Sequence, residues 1–307
     1  MRILVTGAAG YVGSVLTADL LSAGHEVTAL DDLSSGSSSL ALFSSHPAFS
    51  FMKADAGDEG ALKAALSVVD AVMPLAAVVG MAACDKDPNR ARQVNLDAIH
   101  LLMRLRSKNQ RVVFPTTNSA YGTRVEVCTE ETPIRPLSLY ARLKAEAEKI
   151  VLDAENTVSL RLATVFGYSP RMRFDLLVND FVWRLMRERE LRIYEPAAMR
   201  NFISVHDVSS AFRFMIEWVG WSEVVGLFNL GNDAINTSKL DLAQRVASHL
   251  HVPFAAIRPA DGSDADLRNY VVSSEKLSKV GFTAKISLDD GIRELIAAYR
   301  AMPMLYS

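Results

Sequence analysis

The stretch MRILVTGAAGYVG, residues 1–13, decides the fold of this chain of 307 residues. Residues 3–5 form a short apolar run rich in β-branched side chains, which predicts a buried parallel strand. A glycine-rich turn follows, and an apolar periodic segment then ends at Gly24, which predicts a helix with a glycine C-cap. A strand, a glycine-rich turn and a helix in this order favour phosphate binding at the start of the helix.

Each glycine of the turn has its own expected role. Gly7 permits the tight turn, Gly10 lets the backbone approach a pyrophosphate, and Gly13 lets the helix pack close to the strand. A second predicted strand, residues 25–30, ends in the pair Asp31-Asp32, near the ~20-residue spacing at which an acid contacts an adenosine ribose. A glycine-rich turn without a ligand is the alternative interpretation. The strand, the glycines and the acid together favour a dinucleotide site.

Composition limits the class of protein. Half of the residues are hydrophobic and 22% are charged, which is typical of a soluble globular protein. A net charge of −2 provides no general field for nucleic acid or for an anionic membrane. The two cysteines, Cys84 and Cys128, form neither a disulfide framework nor a metal-binding set, which favours a reducing compartment. We expect no signal peptide and no membrane span, and therefore a cytoplasmic protein.

Strands and helices alternate through the first half of the chain. Strands are predicted at 49–53, 71–75, 111–116 and 158–163, with helices at 89–108 and 140–154 among them. This alternation predicts an α/β fold, a Rossmann-type doubly wound parallel sheet with ligands beyond the carboxyl ends of its strands. We expect an NAD-binding Rossmann domain at 1–167, joined by residues 203–230, and a smaller α/β substrate-binding lobe at 168–307.

Three side chains form a candidate catalytic set. Tyr140 and Lys144 are four residues apart on a predicted helix, so both lie on one face. An ammonium beside a phenol favours the phenolate, which is what a general base requires. Thr117, at the end of the preceding strand, could hold a substrate hydroxyl beside the tyrosine. A solvated amphipathic pair and a polar strand cap are the alternatives, and the dinucleotide site favours the joint catalytic interpretation.

These motifs resemble one known family. TGAAGYVG at 6–13, Asp31, Asp55, LAA at 75–77, Asn95, TTNSAYG at 116–122 and YARLK at 140–144 resemble the extended short-chain dehydrogenases, specifically the NAD-dependent epimerase/dehydratase family. The resemblance implies that Tyr140 is the catalytic base, that Lys144 binds the nicotinamide ribose, and that Thr117 orients a sugar hydroxyl. It implies oxidation at C4 of a sugar attached to a nucleoside diphosphate.

The same resemblance implies a set of cofactor-binding residues. They are Gly7, Gly10, Tyr11, Val12, Gly13, Asp31, Asp32, Asp55, Ala56, Leu75, Ala76, Ala77, Asn95, Thr116, Tyr140 and Lys144. Charge then predicts which cofactor binds. NADP would need a cation after the second strand, whereas residues 31–35 offer two acids and neither Arg nor Lys, so we expect NAD.

The second half of the chain narrows the resemblance. RLATVFGYSPRMRFDLLVNDFV at 161–182, PLAAVVGMAACDKDP at 74–88 and LRNYVVSSEKL at 267–277 are most similar to a branch that includes GDP-heptose C4 dehydrogenases and related epimerases. The substrate-binding residues implied by the resemblance are Thr117, Asn118, Ser119, Arg171, Arg173, Asn179, Arg200 and Arg268. A guanidinium fork suits phosphate geometry, although a surface charge is the alternative for any single arginine.

Two departures from the family bear on the reaction. Dehydratases of the family carry an Asp-Glu pair after the catalytic Thr, whereas this chain has Asn118-Ser119, which disfavours elimination of water. Cys84 follows the fourth predicted strand, and a packing role is favoured over a catalytic one because nothing nearby makes it a thiolate.

Several functions remain open from the sequence. The leading hypothesis is a nucleotide-sugar 4-dehydrogenase or epimerase, with GDP-heptose as one candidate substrate and a UDP-hexose 4-epimerase as an alternative. A non-catalytic NAD-binding regulator is disfavoured because Tyr140, Lys144 and Thr117 are all present. A reductase of a nucleotide-free carbonyl compound is disfavoured by the arginines. We also expect a homodimer through helices at 91–106 and 139–154, with Leu101, Leu102 and Leu105 partly buried there.

Overall fold

The computed structural model describes residues 1–34, 36, 39–218, 220–221, 225–260 and 269–301. Its strands are β1 (Arg2–Thr6), β2 (Glu26–Asp31), β3 (Phe49–Lys53), β4 (Ala71–Pro74), β5 (Arg111–Thr117), β6 (Val127–Cys128), β7 (Thr157–Leu162), β8 (Thr164–Phe166), β9 (Leu191–Ile193), β10 (Met199–Ser204), β11 (Gly226–Leu230), β12 (Asn232–Ser238), β13 (Ile257–Pro259) and β14 (Val271–Val272).

The helices are α1 (Tyr11–Ser22), α2 (Glu59–Leu66), α3 (Met81–Lys86), α4 (Pro88–Arg92), α5 (Ala98–Leu105), α6 (Leu139–Leu152), α7 (Leu177–Arg187), α8 (Val205–Glu217), α9 (Lys239–Leu250), α10 (Glu275–Lys279) and α11 (Leu288–Ala301). A π-helical turn, Gln93–Asp97, joins α4 to α5. None of the helices in these described ranges is long and apolar enough to cross a membrane.

The central sheet has seven parallel strands in the order β11-β7-β5-β4-β1-β2-β3. The chain winds outward in both directions from the neighbours β1 and β4, so the switch point lies between these two strands. This confirms the predicted doubly wound Rossmann sheet. The crevice beyond the carboxyl ends of β1 and β4 is therefore the expected ligand site.

Successive side chains of β1 point to opposite faces of the sheet and contribute to a hydrophobic core on each face. Ile3 and Val5 pack with α1 and α8 on one face, whereas Leu4 packs with α2, α5 and α6 on the other. All three side chains are fully buried, as expected for a parallel strand covered on both faces. The amino-terminal run that predicts the strand thus anchors both layers of helices.

The second half of the chain adds a strand to the central sheet and also forms a smaller lobe. Strand β11, which follows α8, pairs in parallel with β7 and forms an edge strand of the central sheet. Helices α7, α9 and α11 form a separate apolar cluster beside the small sheet β12-β10-β8. This lobe lies over the carboxyl edge of the central sheet, where β8 and the following loop meet the amino-terminal helix.

Candidate active site

A cleft of about 870 Å³ lies at the carboxyl edge of the sheet. Its walls come from the loops after β1, β2, β3, β4 and β5, from α6, and from the lobe side of the chain. The crevice predicted from the sequence and the observed cleft therefore coincide. Most of the predicted cofactor residues line it: Gly7, Gly10, Tyr11, Val12, Gly13, Asp31, Asp32, Asp55, Ala56, Leu75, Ala76, Ala77, Thr116, Tyr140 and Lys144.

The glycine-rich turn has no room for side chains. A Cβ at Gly7, whose φ is +69°, would lie 2.6 Å from the Ala76 nitrogen, and a Cβ at Gly13 would lie 2.2 Å from the Gly7 oxygen. Helix α1 begins at Tyr11 without a side-chain cap on its first amides. A turn of this shape, followed by an uncapped helix start, fits a pyrophosphate group.

Asp31 is the last residue of β2, and its carboxylate binds the backbone of the glycine-rich turn. Its Oδ2 accepts a hydrogen bond from the Ala9 nitrogen at 3.0 Å, and its Oδ1 accepts one from the Leu33 nitrogen at 2.8 Å. Burial raises the pKa of this carboxyl group, although the two backbone hydrogen bonds act in the opposite direction. A carboxylate has further lone pairs, so Asp31 can also accept from a ribose hydroxyl while it holds the turn.

The loops after β2 and β3 meet around an arginine that is absent from the residues predicted from the sequence. The Nη2 of Arg90, on α4, lies 3.0 Å from the Asp32 Oδ2 and 2.6 Å from the Asp55 Oδ2. All three side chains line the cleft. Nothing in the local sequence points to Arg90, because 58 residues separate it from Asp32 and only the fold brings them together.

Asn95 supports the cleft wall and does not line it. Its Oδ1 accepts from the Val78 nitrogen at 2.8 Å, and its Nδ2 donates to the Val78 oxygen at 2.9 Å. The π-helical turn that carries Asn95 thereby fixes the loop after β4. The Sγ of Cys84 donates to the same carbonyl, and burial raises the pKa of this fully buried thiol, which is consistent with packing.

The three predicted catalytic residues line the same cleft. Tyr140 and Lys144 lie on α6, whose first turn is capped by Ser138. The Lys144 ammonium lies 4.1 Å from the centre of the Phe114 ring and is almost fully buried. Burial lowers the pKa of Lys144 to about 7, although the charge of Glu148, one turn further along α6, opposes the shift.

Thr117 ends β5 and caps the short 3₁₀ helix that comes after it. Its Oγ1 accepts from the Ser119 nitrogen at 3.1 Å and lies 3.0 Å from the Ser119 Oγ. Thr117 and Ser119 both line the cleft, whereas Asn118 is fully buried beneath it. Within the described residues, neither the Nδ2 nor the Oδ1 of Asn118 has a hydrogen-bond partner.

The lobe side of the cleft carries most of the predicted arginines. Arg171, Arg173 and Arg200 line it, and Lys239 at the start of α9 joins them as a further cation that no sequence pattern indicates. Among the described residues, the buried Nε of Arg171 has no hydrogen-bond partner. Several guanidinium groups on one wall, together with this Nε donor of Arg171, suit a phosphate-bearing ligand.

Asn179 and Arg268 differ from the other predicted substrate residues. Asn179 is fully buried behind the cleft, where its Nδ2 donates to the Arg173 oxygen at 2.9 Å and its Oδ1 accepts from the Gly167 nitrogen at 3.1 Å. It therefore positions the arginine loop and does not line the cleft. Arg268 lies outside the described residues.

The fold and the cleft together define a dinucleotide-dependent enzyme of the short-chain dehydrogenase type. A model of the NAD dependent epimerase/dehydratase family matches residues 3–231, so the chain belongs to that family. The cofactor is accordingly NAD, as the two acids after β2 predict.

Curated and structural relatives span almost the whole chain. The UDP-glucose 4-epimerase of Mycolicibacterium smegmatis is 30% identical over 319 residues, which cover 98% of this chain and 99% of the relative. UDP-glucuronic acid decarboxylase 1 of Arabidopsis thaliana is 28% identical over 98% of this chain and 70% of the relative. The structure of the Thermus thermophilus UDP-glucose 4-epimerase in complex with NAD matches with a TM-score of 0.83, 26% identity and coverage of 98% and 99%.

Proposed function

We propose that this enzyme oxidises C4 of a nucleoside-diphosphate sugar, as a nucleotide-sugar 4-epimerase or 4-dehydrogenase. The observation that carries the proposal is the meeting of Thr117, Tyr140 and Lys144 in the cleft that the glycine-rich turn also lines. Bound NAD supplies a hydride acceptor to this cleft. The chain itself has to supply a base, a hold on the sugar hydroxyl and a site for the diphosphate.

We assign the proton transfer in this reaction to Tyr140. Its phenolate accepts the proton of the sugar hydroxyl, while Thr117 holds that hydroxyl through its Oγ1. The Lys144 ammonium is poorly solvated, so its field acts strongly over a short distance. Thr117 is oriented by Ser119, which leaves the hydroxyl of the threonine fixed at the end of β5.

The diphosphate site is assigned to the lobe arginines. Arg173 is anchored by an ion pair with Asp175, and both side chains line the cleft. Burial acts against the charge of Arg173, but the hydrogen bond and the charge of Asp175 keep the pKa of the guanidinium raised. Arg200 is buried on β10 and provides a second fixed cation. These cations favour a nucleotide-linked sugar over a carbonyl compound without phosphates.

The two candidate outcomes of the oxidation differ in the fate of the hydride. An epimerase returns the hydride to the other face of the keto-sugar, whereas a dehydrogenase releases the keto-sugar. UDP sugars are favoured as substrates because the two curated relatives act on them by name. GDP-heptose stays a candidate only on the sequence resemblance at residues 74–88, 161–182 and 267–277.

The test is a panel of UDP-, GDP- and dTDP-sugars incubated with the enzyme and NAD, followed by mass spectrometry and NMR of the products. An isomer of equal mass identifies an epimerase, and loss of two hydrogens with formation of NADH identifies a dehydrogenase. Tyr140→Phe removes the base but keeps the ring, so turnover should fall by ~10²–10⁴ while NAD binding survives. Thr117→Val should reduce turnover less, because Thr117 orients the hydroxyl and does not take its proton.

Matched variants separate a catalytic loss from a general one. Lys149→Met alters an exposed lysine at the end of the same helix and should leave turnover unchanged, whereas Lys144→Met should reduce both turnover and NAD affinity. Wild-type turnover by Tyr140→Phe on the true substrate would contradict the assignment of the base.

We also propose a homodimer formed through α5 and α6. The expected interface residues differ in burial. Leu102 is buried in the core of its own subunit, whereas Leu101 and Leu105 are partly exposed. Light scattering at micromolar concentration should give twice the chain mass of 33.6 kDa. Leu101→Glu should then shift the mass toward a monomer, and a monomeric wild type would exclude the proposal.

A further inference from the structure

Arg90 joins two loops at one end of the dinucleotide cleft. It reaches from α4 to Asp32 after β2 and to Asp55 after β3, at 3.0 and 2.6 Å. Each acid is also fixed by backbone: the Asp32 Oδ1 accepts from the Ser34 nitrogen, and the Asp55 Oδ1 accepts from the Gly57 nitrogen. The arginine is therefore held by two acids whose own positions are set by their loops.

The place of Arg90 is chemically informative. Asp32 directly follows Asp31, the acid that the family assigns to the adenosine ribose. A free guanidinium near this acid is the feature that accommodates the 2′-phosphate of NADP in dinucleotide sites. Residues 31–35 carry no such cation, but the fold brings one to them from α4. What distinguishes Arg90 is that its charge is already paired with Asp32 and Asp55.

We propose that Asp32 and Asp55 set the preference for NAD over NADP by holding Arg90, which is a latent 2′-phosphate-binding residue. Asp31 alone then accounts for only part of the selectivity. The rest comes from neutralising a cation that would otherwise attract the extra phosphate. The inference concerns the cofactor and needs no sugar substrate, so it stands or falls separately from the proposed reaction.

Partial exposure sets the size of the expected effect. The side chains of Arg90, Asp32 and Asp55 are 37%, 30% and 40% exposed, so solvent screens their charges in part. If the charge of Arg90 becomes available to the 2′-phosphate, the affinity for NADP should rise by about tenfold. This change lies between the effects expected for a contact of two unit charges in water and near a protein surface. Asp32→Asn is the suitable change, because the amide keeps the shape and the Oδ1 acceptor while it removes the charge.

The experiment is a double-mutant cycle on Asp32→Asn and Arg90→Met, with NAD and NADP binding measured by calorimetry or by competition. Asp32→Asn should improve the affinity for NADP relative to NAD by about tenfold. Arg90→Met in the same chain should cancel that gain. Asp85→Asn on the exposed part of α3 and Arg92→Met on α4 are controls that match the changes in net charge. Thermal unfolding and retained NAD binding check that each variant is folded.

Two results would overturn the inference. An NADP-to-NAD ratio that is unchanged both in Asp32→Asn and in the double variant Asp32→Asn/Asp55→Asn, with NAD still bound, would show that Arg90 has no part in selectivity. An equal gain in the presence and absence of Arg90 would show that Asp32 acts by simple repulsion of the phosphate. Asp32→Ser provides a second variant if the asparagine form does not fold.

Discussion

Lys144 has to be charged for its expected role, yet the fold opposes that charge. The side chain is 3% exposed, and its ammonium faces the apolar ring of Phe114. A cation over an aromatic face recovers part of the lost hydration. The remaining cost is visible in the pKa of about 7, well below the ordinary value for a lysine. The proposed catalytic role of Lys144 and the stability of the fold therefore conflict at this residue.

Lys144→Met should consequently stabilise the protein, and the gain should depend on pH. The folded-state pKa of about 7 lies below the unfolded value of ~10.4, so the cost of burying the charge is fully present below pH 7. It declines as pH rises from 7 to about 10, where the unfolded lysine also loses its proton. The difference at low pH should be of the order of 5 kcal/mol, since the two pKa values differ by about 3.4 units and each unit corresponds to ~1.4 kcal/mol. Urea unfolding of both proteins at pH 6, 8 and 10 measures it, and a pH-independent difference would contradict the buried charge.

Gly10 and Asp31 are the residues at which substitution should affect NAD binding most directly while the overall fold is kept, although Asp31→Ala also frees the two backbone amides that its carboxylate holds. A Cβ at Gly10 would lie 3.1 Å from the Gly7 oxygen, and the branches of Val would project where the pyrophosphate is expected. Asp31→Ala removes the acceptor for the ribose and for the Ala9 nitrogen. Both variants should weaken NAD binding by roughly tenfold or more: Asp31→Ala because a hydrogen bond to a charged group is lost, and Gly10→Val because its side chain occupies the space of the pyrophosphate. Calorimetry is the measurement, and unchanged affinity in both variants would remove this loop from the cofactor site.

At the scale of elements, a buried ion pair connects the two segments that carry the proposed catalytic residues. Arg161 on β7 donates to both carboxylate oxygens of Glu148 on α6, with distances of 2.6 to 3.2 Å. The Nη1 of Arg161 also donates to the Tyr121 hydroxyl at 3.0 Å, and Tyr121 ends the 3₁₀ helix that begins after Thr117. The helix of Tyr140 and the loop of Thr117 are thus fixed against the same strand.

Glu148→Gln should destabilise the fold by about 3–5 kcal/mol, because it leaves the Arg161 guanidinium buried without its counter-charge. The midpoint of urea unfolding at pH 8 measures the loss. Glu146→Gln on the exposed face of the same helix is the matched control and should change the midpoint very little. Equal midpoints for the two variants would mean that Arg161 finds another partner or water.

The elements that sequence predicts best are those with a local cause. The strand predicted at 49–53 has the same bounds in the structure, and the helix at 140–154 differs by one or two residues, because apolar period and caps are local signals. The long helix at 89–108 ends earlier, since Arg106 adopts an extended backbone, and it contains a π turn that no local pattern indicates. Arg90 and Lys239 could not be assigned to the cleft, because their place depends on contacts distant in sequence.

At the scale of the whole molecule, the order of the strands in the sheet differs from their order in the chain. Strand β7 ends at Leu162, but its outer neighbour β11 begins only at Gly226, after the first helix and strands of the lobe. A division of the chain at residue 167 would therefore leave the free edge of β7 exposed. Open edges of this kind are sites of non-native pairing.

This arrangement has a consequence during synthesis on the ribosome. About sixty residues have to be translated between the end of β7 and the start of β11, which takes ~3–12 s at typical rates of elongation. Throughout that interval the nascent sheet has an uncovered strand edge that is open to non-native pairing. Ribosome-stalled chains ending at residue 200 should be cleaved by protease near β7, whereas chains with residue 230 outside the exit tunnel should be protected. Equal cleavage of the two nascent chains would show that β11 does not control the closure of the sheet.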